Sequence, residues 1–272
     1  MKYSSSPVKL IRDLRKNGHL LQQITWRDVL ARYQGSALGV IWSFATPLLM
    51  LSVYSLVFGV IFKSRFGAED AGVQHSFALT LFSGLIIHGW VAECLVRTPT
   101  IITQHVSYVK KVVFPLEILP LMVVASSAFH LLISVVILLA GLLITEHALP
   151  ISVIYVPLLL LCYAPLLCGV SFVLASLGTY LRDIAQLTQL FSTILMFMSP
   201  IFYPASALPE WLQPYLWLNP LGLVVEQFRG AIIFGATPDF SVLAVMFVVN
   251  MALMQLGFLW FQRTRKGFAD IL

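Results

Sequence analysis

Six stretches of this chain run for 22 to 35 consecutive residues without a single Asp, Glu, Lys or Arg, and no other feature restricts the possible fold so strongly. They lie between Arg32 and Lys63 (30 residues), Asp70 and Glu93 (22), and Glu117 and Glu146 (28). The others lie between Glu146 and Arg182 (35), Asp183 and Glu210 (26), and Asp239 and Arg263 (23). A membrane helix needs about 20 mostly apolar residues, so each stretch is long enough for one span. The 35-residue stretch could hold two only with an impossibly tight turn. Pro150 and Pro157 near its start mark a loop followed by one long helix. Composition agrees, because only 11% of the residues are charged, against about 25% in a soluble domain, and mean hydropathy is +0.89. The predicted fold is an all-α integral membrane protein, a single transmembrane domain over residues 1–272. Its six transmembrane helices are expected at 36–62, 75–97, 117–144, 151–181, 184–204 and 239–262.

Six spans place both termini on one side of the bilayer, and positive charge says which. With the N-terminus inside, 14 of the 17 Lys and Arg residues fall in cytoplasmic segments, leaving only Lys63, Arg65 and Arg229 outside. Both termini are therefore expected in the cytoplasm. The net charge of +5 does not indicate nucleic acid, because the basic residues flank apolar runs and form no stripe on a polar domain. Cys94, Cys162 and Cys168 lie inside apolar runs and read as small hydrophobes. The first 20 residues carry charges at short intervals around no apolar core, which is not the pattern of a cleavable signal peptide.

Three segments outside the spans carry patterns of their own. Residues 7–33 read as amphipathic interface helices. Ser6 can cap the first, Pro7 suits its first position, Leu10, Ile11 and Leu14 form its apolar face, and Gly18 is expected to end it before a second stretch to Tyr33. This collar either anchors the topology or attracts an anionic lipid headgroup. In residues 99–111, Thr98 and Pro99 open a helix. Ile102, Val106, Val109 and Val113 share one face, and Gln104, His105, Ser107, Tyr108 and Lys111 the other. That segment is either a short helix docking into a partner's groove or the basic end of a span. Between spans five and six, residues 208–235 contain an apolar stretch too short to cross, interrupted by Pro214 and Pro220, and read as short re-entrant helices. Gly35 and Gly39 make a G-x-x-x-G step, a spacing that lets helix backbones approach closely.

Catalytic patterns are missing from the sequence. No G-x-x-x-x-G-K-[ST] occurs, so the chain has no P-loop for nucleotide, and no His/Cys/Asp cluster has metal-ligand spacing. Carriers driven by protons or sodium usually hold acidic groups near the bilayer midplane, whereas Glu93, Glu117 and Asp183 all lie near span ends. His88 and His130 are the nearest polar exceptions and read as hydrogen-bonded packing residues. Energy for any transport is expected from elsewhere.

Five blocks in order resemble the membrane subunits of type-2 ABC exporters that move lipid-linked polysaccharide. They are RDVLARYQGSALGVIWSFATPLLML (27–51), KKVVFPLEILP (110–120), YLRDIAQL (180–187), SPIFYPASALP (199–209) and NPLGLVVEQFRG (219–230). The resemblance implies a homodimer paired with a cytoplasmic ATPase dimer, with ATP and Mg held by that partner and no cofactor on this chain. It implies a bacterial inner-membrane location and a channel for a lipid-linked glycan such as O-antigen, capsule or teichoic acid. It makes 99–111 the coupling helix, so that Thr103, Gln104, His105, Ser107, Tyr108 and Lys111 become candidates for contact with the ATPase. Arg27 and Arg32, at the inner mouth, are candidates for a pyrophosphate headgroup because Arg binds such oxygens bidentately; topogenic charge is the rival reading. Trp42, Phe44, Tyr54, Phe58, Phe62, Phe191 and Phe197 either line a channel, where ring faces let sugars slide, or pack and face lipid. Competing functions are a type-2 permease for a small lipid or drug, a membrane-embedded glycan-processing enzyme and a non-transporting scaffold.

Overall fold

The computed structural model describes residues 7–61, 76–110, 114–211 and 219–272, which form helices joined by turns. Phe62, Lys63, Arg65, Lys111, Val113 and Pro214 lie outside the described residues. Helix α1 (Pro7–Ala31) is followed by α2 (Trp42–Tyr54), which continues as a wider π-helical segment, Ser55–Ile61. Next come α3 (Phe77–Arg97), the short helices α4 (Ile101–Gln104) and α5 (Val106–Lys110), then α6 (Ile118–Glu146) and α7 (Val156–Tyr180). The chain ends with α8 (Ile184–Met198), α9 (Pro220–Ile232), α10 (Phe240–Thr264) and α11 (Phe268–Ile271). Among the described residues five helical stretches are long and apolar enough to cross a membrane, and α8 is apolar but only 15 residues long. The protein is an all-α integral membrane protein.

Several boundaries differ from the sequence reading, each for a local reason. Helix α1 runs straight through Gly18. An interior glycine costs about 1 kcal/mol against alanine. Leu20, Leu21 and Ile24 pack as one face on the cluster that includes Ile101, Leu119 and Met122, and each buried aliphatic contributes about 1.5–3 kcal/mol. Gly35 and Gly39 do not bring helices together. They occupy the turn between α1 and α2 with φ of 81° and 51°, and the space where a Cβ would stand is open at both. Glycine enters that left-handed region without steric penalty, so the motif serves the turn. Helix α8 stops at Met198, short of the expected 204, because Pro200 and Pro204 cannot continue it. Among the described residues of 208–235, α9 is the one α-helix. Asn219 Oδ1 caps it by accepting from the backbone N–H groups of Leu221 (3.1 Å) and Gly222 (3.2 Å), and Pro220 stands at its first position.

Burial is uneven. Helix α3 is the centre of the bundle: 72% of its span's apolar stretch is buried, against 11% for the span containing α2. Helices α7 and α10 lie in backbone contact, since a Cβ on Gly169 would come within 2.8 Å of the Leu253 carbonyl oxygen. Asn250, buried in the same pair, donates from Nδ2 to the Cys162 carbonyl at 2.8 Å. Arg229 is no surface charge either, being 1% exposed. Its Nη1 donates to the Pro200 carbonyl (2.9 Å) and Glu226 Oε1 (3.0 Å), and its Nη2 to the Ile201 carbonyl (3.1 Å). It thereby joins α9 to the turn where α8 loses its own hydrogen bonds.

Candidate functional site

At the end of the bundle that carries α1, a charged cluster ties three helices together. Arg97, in the last turn of α3, grips Asp28 of α1 through Nη2, at 2.7 and 2.8 Å from its two carboxylate oxygens. Its Nη1 donates to Glu93 Oε1 at 2.8 Å and to Ser126 Oγ of α6 at 3.2 Å. Arg32, just past α1, donates from Nη1 to the same Glu93 oxygen at 2.8 Å and lies 2.9 Å from His130 Nδ1 on α6. His130 Nδ1 also lies 3.3 Å from Glu93 Oε2, and its Nε2 faces the Tyr33 hydroxyl at 3.1 Å. Burial raises the pKa of the Tyr33 phenol above its ordinary value, so the hydroxyl keeps its proton at neutral pH. Two guanidinium groups and two carboxylates balance within this cluster.

The cluster roofs a partly open cavity of about 440 Å³ between α2, α3 and α6. Arg32 and Tyr33 stand at its rim, Trp42 and Tyr54 come from α2, and Glu93 and His130 complete the polar wall. A guanidinium beside aromatic faces can take an oxyanion and lay a ring against an apolar surface. Arg27 and Arg32, paired in the sequence reading, are not brought together. Arg32 is engaged with Glu93, whereas Arg27 Nη2 donates to the uncharged Tyr108 hydroxyl at 2.7 Å and makes no ion pair with another described residue.

That bond joins α1 to the segment expected as one coupling helix over 99–111. The segment is bent instead, α4 and α5 meeting at His105, whose φ and ψ are −121° and 41°. The cause is local. His105 Nδ1 donates to the Ile101 carbonyl at 2.9 Å, taking the acceptor that its own backbone N–H would need, and that N–H turns to Ile102 at 3.1 Å. Ile101 and Ile102 are buried, Gln104 and Ser107 are exposed, and Thr103 and Tyr108 are half-buried. The Tyr108 ring stacks on Phe114, with centroids 4.5 Å apart, and beside His105 at 5.6 Å. Arg265, beyond α10, braces the far side by donating to Glu117 Oε2 at 2.7 Å and to the Phe114 carbonyl at 3.1 Å. Tyr108→Phe should therefore cost only about 1 kcal/mol, while Tyr108→Ala should cost more by losing the stack; thermal melting in detergent separates the two.

The aromatic candidates divide. Trp42, Phe44, Phe191 and Phe197 are exposed on α2 and α8, whereas Tyr54 and Phe58 turn inward, Phe58 lying 5.2 Å from the Phe77 ring. Sequence reasoning counted Arg97 as a topogenic charge and did not use Asp28. The Glu93 to Arg97 spacing of four is a visible helical pair. Nothing in one sequence, however, ties Asp28 to a residue 69 positions away.

An apolar bundle whose second span is buried, whose first span is left uncovered, and whose bent polar segment is braced by α1 is that of a multi-pass helical membrane protein. The chain belongs to the ABC-2 type transporter family, which it matches over residues 19–233. It is 24% identical over 254 residues to the O-antigen export system permease protein RfbA of Klebsiella pneumoniae, covering 93% of this chain and 95% of that one. It is 25% identical over 270 residues to the protein of the same name from Myxococcus xanthus, covering 97% and 99%. Against the capsule polysaccharide export inner-membrane protein CtrC of Neisseria meningitidis it is 22% identical over 248 residues, covering 89% of each.

Proposed function

We propose that the chain is the membrane-spanning subunit of an ATP-driven exporter of lipid-linked polysaccharide of the O-antigen or capsule class. It works in the bacterial inner membrane as a homodimer, with both termini and the α1 end of the bundle in the cytoplasm. The end-to-end similarity to export permeases for such polymers carries this reading. Two features of the chain support it. The spans containing α2 and α8 leave most of their circumference uncovered, as a helix does when a second copy and a shared path complete its surroundings. The missing P-loop assigns ATP and Mg to a separate ATPase, for which the bent segment with Gln104, His105, Ser107 and Tyr108 is the docking element. Arg27, bonded among the described residues only to a neutral hydroxyl and standing beside that segment, is the better ligand for an anionic headgroup. Arg32 holds the rim of the cavity.

The test uses the bacterium that encodes the chain. Deleting the gene should leave completed polysaccharide inside the cytoplasm, and restoring it should return the polymer to the surface. Purified alone, the chain should hydrolyse no ATP, and adding its ATPase should restore hydrolysis. Surface polymer at wild-type level in the deletion strain would reject the proposal.

A further inference from the structure

Helix α8 presents a face that a membrane does not ordinarily tolerate. At 100° per residue, Gln186, Gln189, Thr193 and Phe197 fall within about 80° of one another, and all four are exposed. Their stripe is turned by about 120° from the side that seats α8 on α3, where Thr188 and Ser192 are buried and the Ser192 carbonyl accepts from His88 Nε2 at 3.0 Å. Leu187, Phe191, Ile194 and Met198 form a separate exposed apolar face beside it. The helix therefore has three faces, one packed, one apolar and one polar.

The amides of Gln186 and Gln189 make no side-chain hydrogen bond with other described residues. Thr193 Oγ1 donates to the Gln189 carbonyl at 3.2 Å and keeps its oxygen as an acceptor. Polar groups left against lipid tails are costly, so this stripe is built to meet something that can hydrogen-bond. It carries no charge, which argues against an ionic ligand. Each amide offers both donors and an acceptor, the set that matches the mixed hydroxyls of a sugar. The three side chains advance by about 4.5 and 6 Å along the helix, comparable with the length of one sugar residue.

We propose that Gln186, Gln189 and Thr193 form a neutral ladder that hands the hydroxyls of a passing glycan from one position to the next, with Phe197 receiving a ring face at its outer end. The proposal rests on the polysaccharide-export reading above and adds the residues that make the path permissive. Several weak sites in series let a chain enter without being held, the condition that conduction imposes. The phenylalanines among the aromatic candidates supply ring faces but no donors, and the ladder supplies what they lack. Helix α8 touches the turn Thr98–Thr100 ahead of α4, so the helix that carries the ladder is in contact with the proposed ATPase-docking segment.

Two measurements on the whole transporter test this. In the first, Gln186→Leu, Gln189→Leu and Thr193→Val are combined and surface polysaccharide is compared with wild type. Export should fall at least tenfold while the protein still inserts and sediments as a dimer, and Gln189→Asn with Thr193→Ser should restore most of it. Unchanged export removes the ladder from the path, and loss of the dimer reassigns the stripe to contact between two copies of α8. In the second, cysteines placed at 186, 189 and 193 are exposed to a membrane-impermeant maleimide during ATP turnover. Labelling at these three, but not at 187 and 194, is the expected pattern; labelling at none, or equally at all five, overturns the proposal. A wild-type strain that exports no polysaccharide would instead defeat the underlying functional reading and leave the labelling pattern to be judged separately.

Discussion

Gly178→Ala should be the most damaging single methyl group that can be added to this protein. Gly178 lies in α7 against the backbone of Pro99, and a Cβ built there would run into the Pro99 carbonyl oxygen, carbonyl carbon and Cα at once. Overpacking usually costs about 1–3 kcal/mol because side chains can rotate away, but a backbone cannot, so about 3 kcal/mol or more is expected. The unfolding midpoint in detergent should fall by roughly 6–12 °C. Pro99 opens the bent segment proposed to meet the ATPase, so export should fall by more than tenfold in whatever protein remains folded. Gly18→Ala is the matched control. Nothing stands within 4 Å of a Cβ there, and the residue lies inside α1, so the change should stabilise by up to about 1 kcal/mol. Equal midpoints for the two variants would show that the α7–Pro99 contact is not as close as described.

Removing the guanidinium of Arg97 should come next in size. Among the described residues it is the only group that holds Asp28, Glu93 and Ser126 together, through four hydrogen bonds from two nitrogens. The side chains are 29% exposed for Arg97 and 19% for Asp28, so water screens the pair only in part. Arg97→Ala strands the Asp28 carboxylate and leaves Glu93 to Arg32 and His130, and should cost about 3 kcal/mol, at the low end for a buried pair that loses one partner. Arg97→Lys should recover less than half, because a single ammonium cannot reproduce the bidentate grip. In a double-mutant cycle, Asp28→Asn with Arg97→Gln should show coupling of about 1–3 kcal/mol. Additive effects would mean that α1 is held by its buried apolar face and the Arg27–Tyr108 bond, without help from the Asp28–Arg97 pair.

These two sites show how unevenly the protein could be read in advance. The membrane character and the helical class were open to inspection, because uncharged runs of 22 to 35 residues have no other stable home. The polar segment before α6 was visible as a segment. Its bend at His105 was not, since it depends on one side chain taking a carbonyl four residues back. The G-x-x-x-G step was seen and given the wrong use, because a spacing does not say whether its glycines lie in a helix or in a turn. Arg229 was counted with the outer charges although it is almost wholly buried. Gln186, Gln189 and Thr193 were overlooked because exposure, not residue type, distinguishes them from ordinary polar residues of a span.

The sequence by itself determined the solvent this chain lives in and the approximate places where it crosses. Those properties follow from transfer free energies, which are local sums along the chain. Only the tertiary structure decided which charges became a lattice between α1, α3 and α6, which glycine became a contact, and which face of α8 was left bare. Those depend on residues far apart in sequence meeting within 3 Å of one another, and no local sum contains that information.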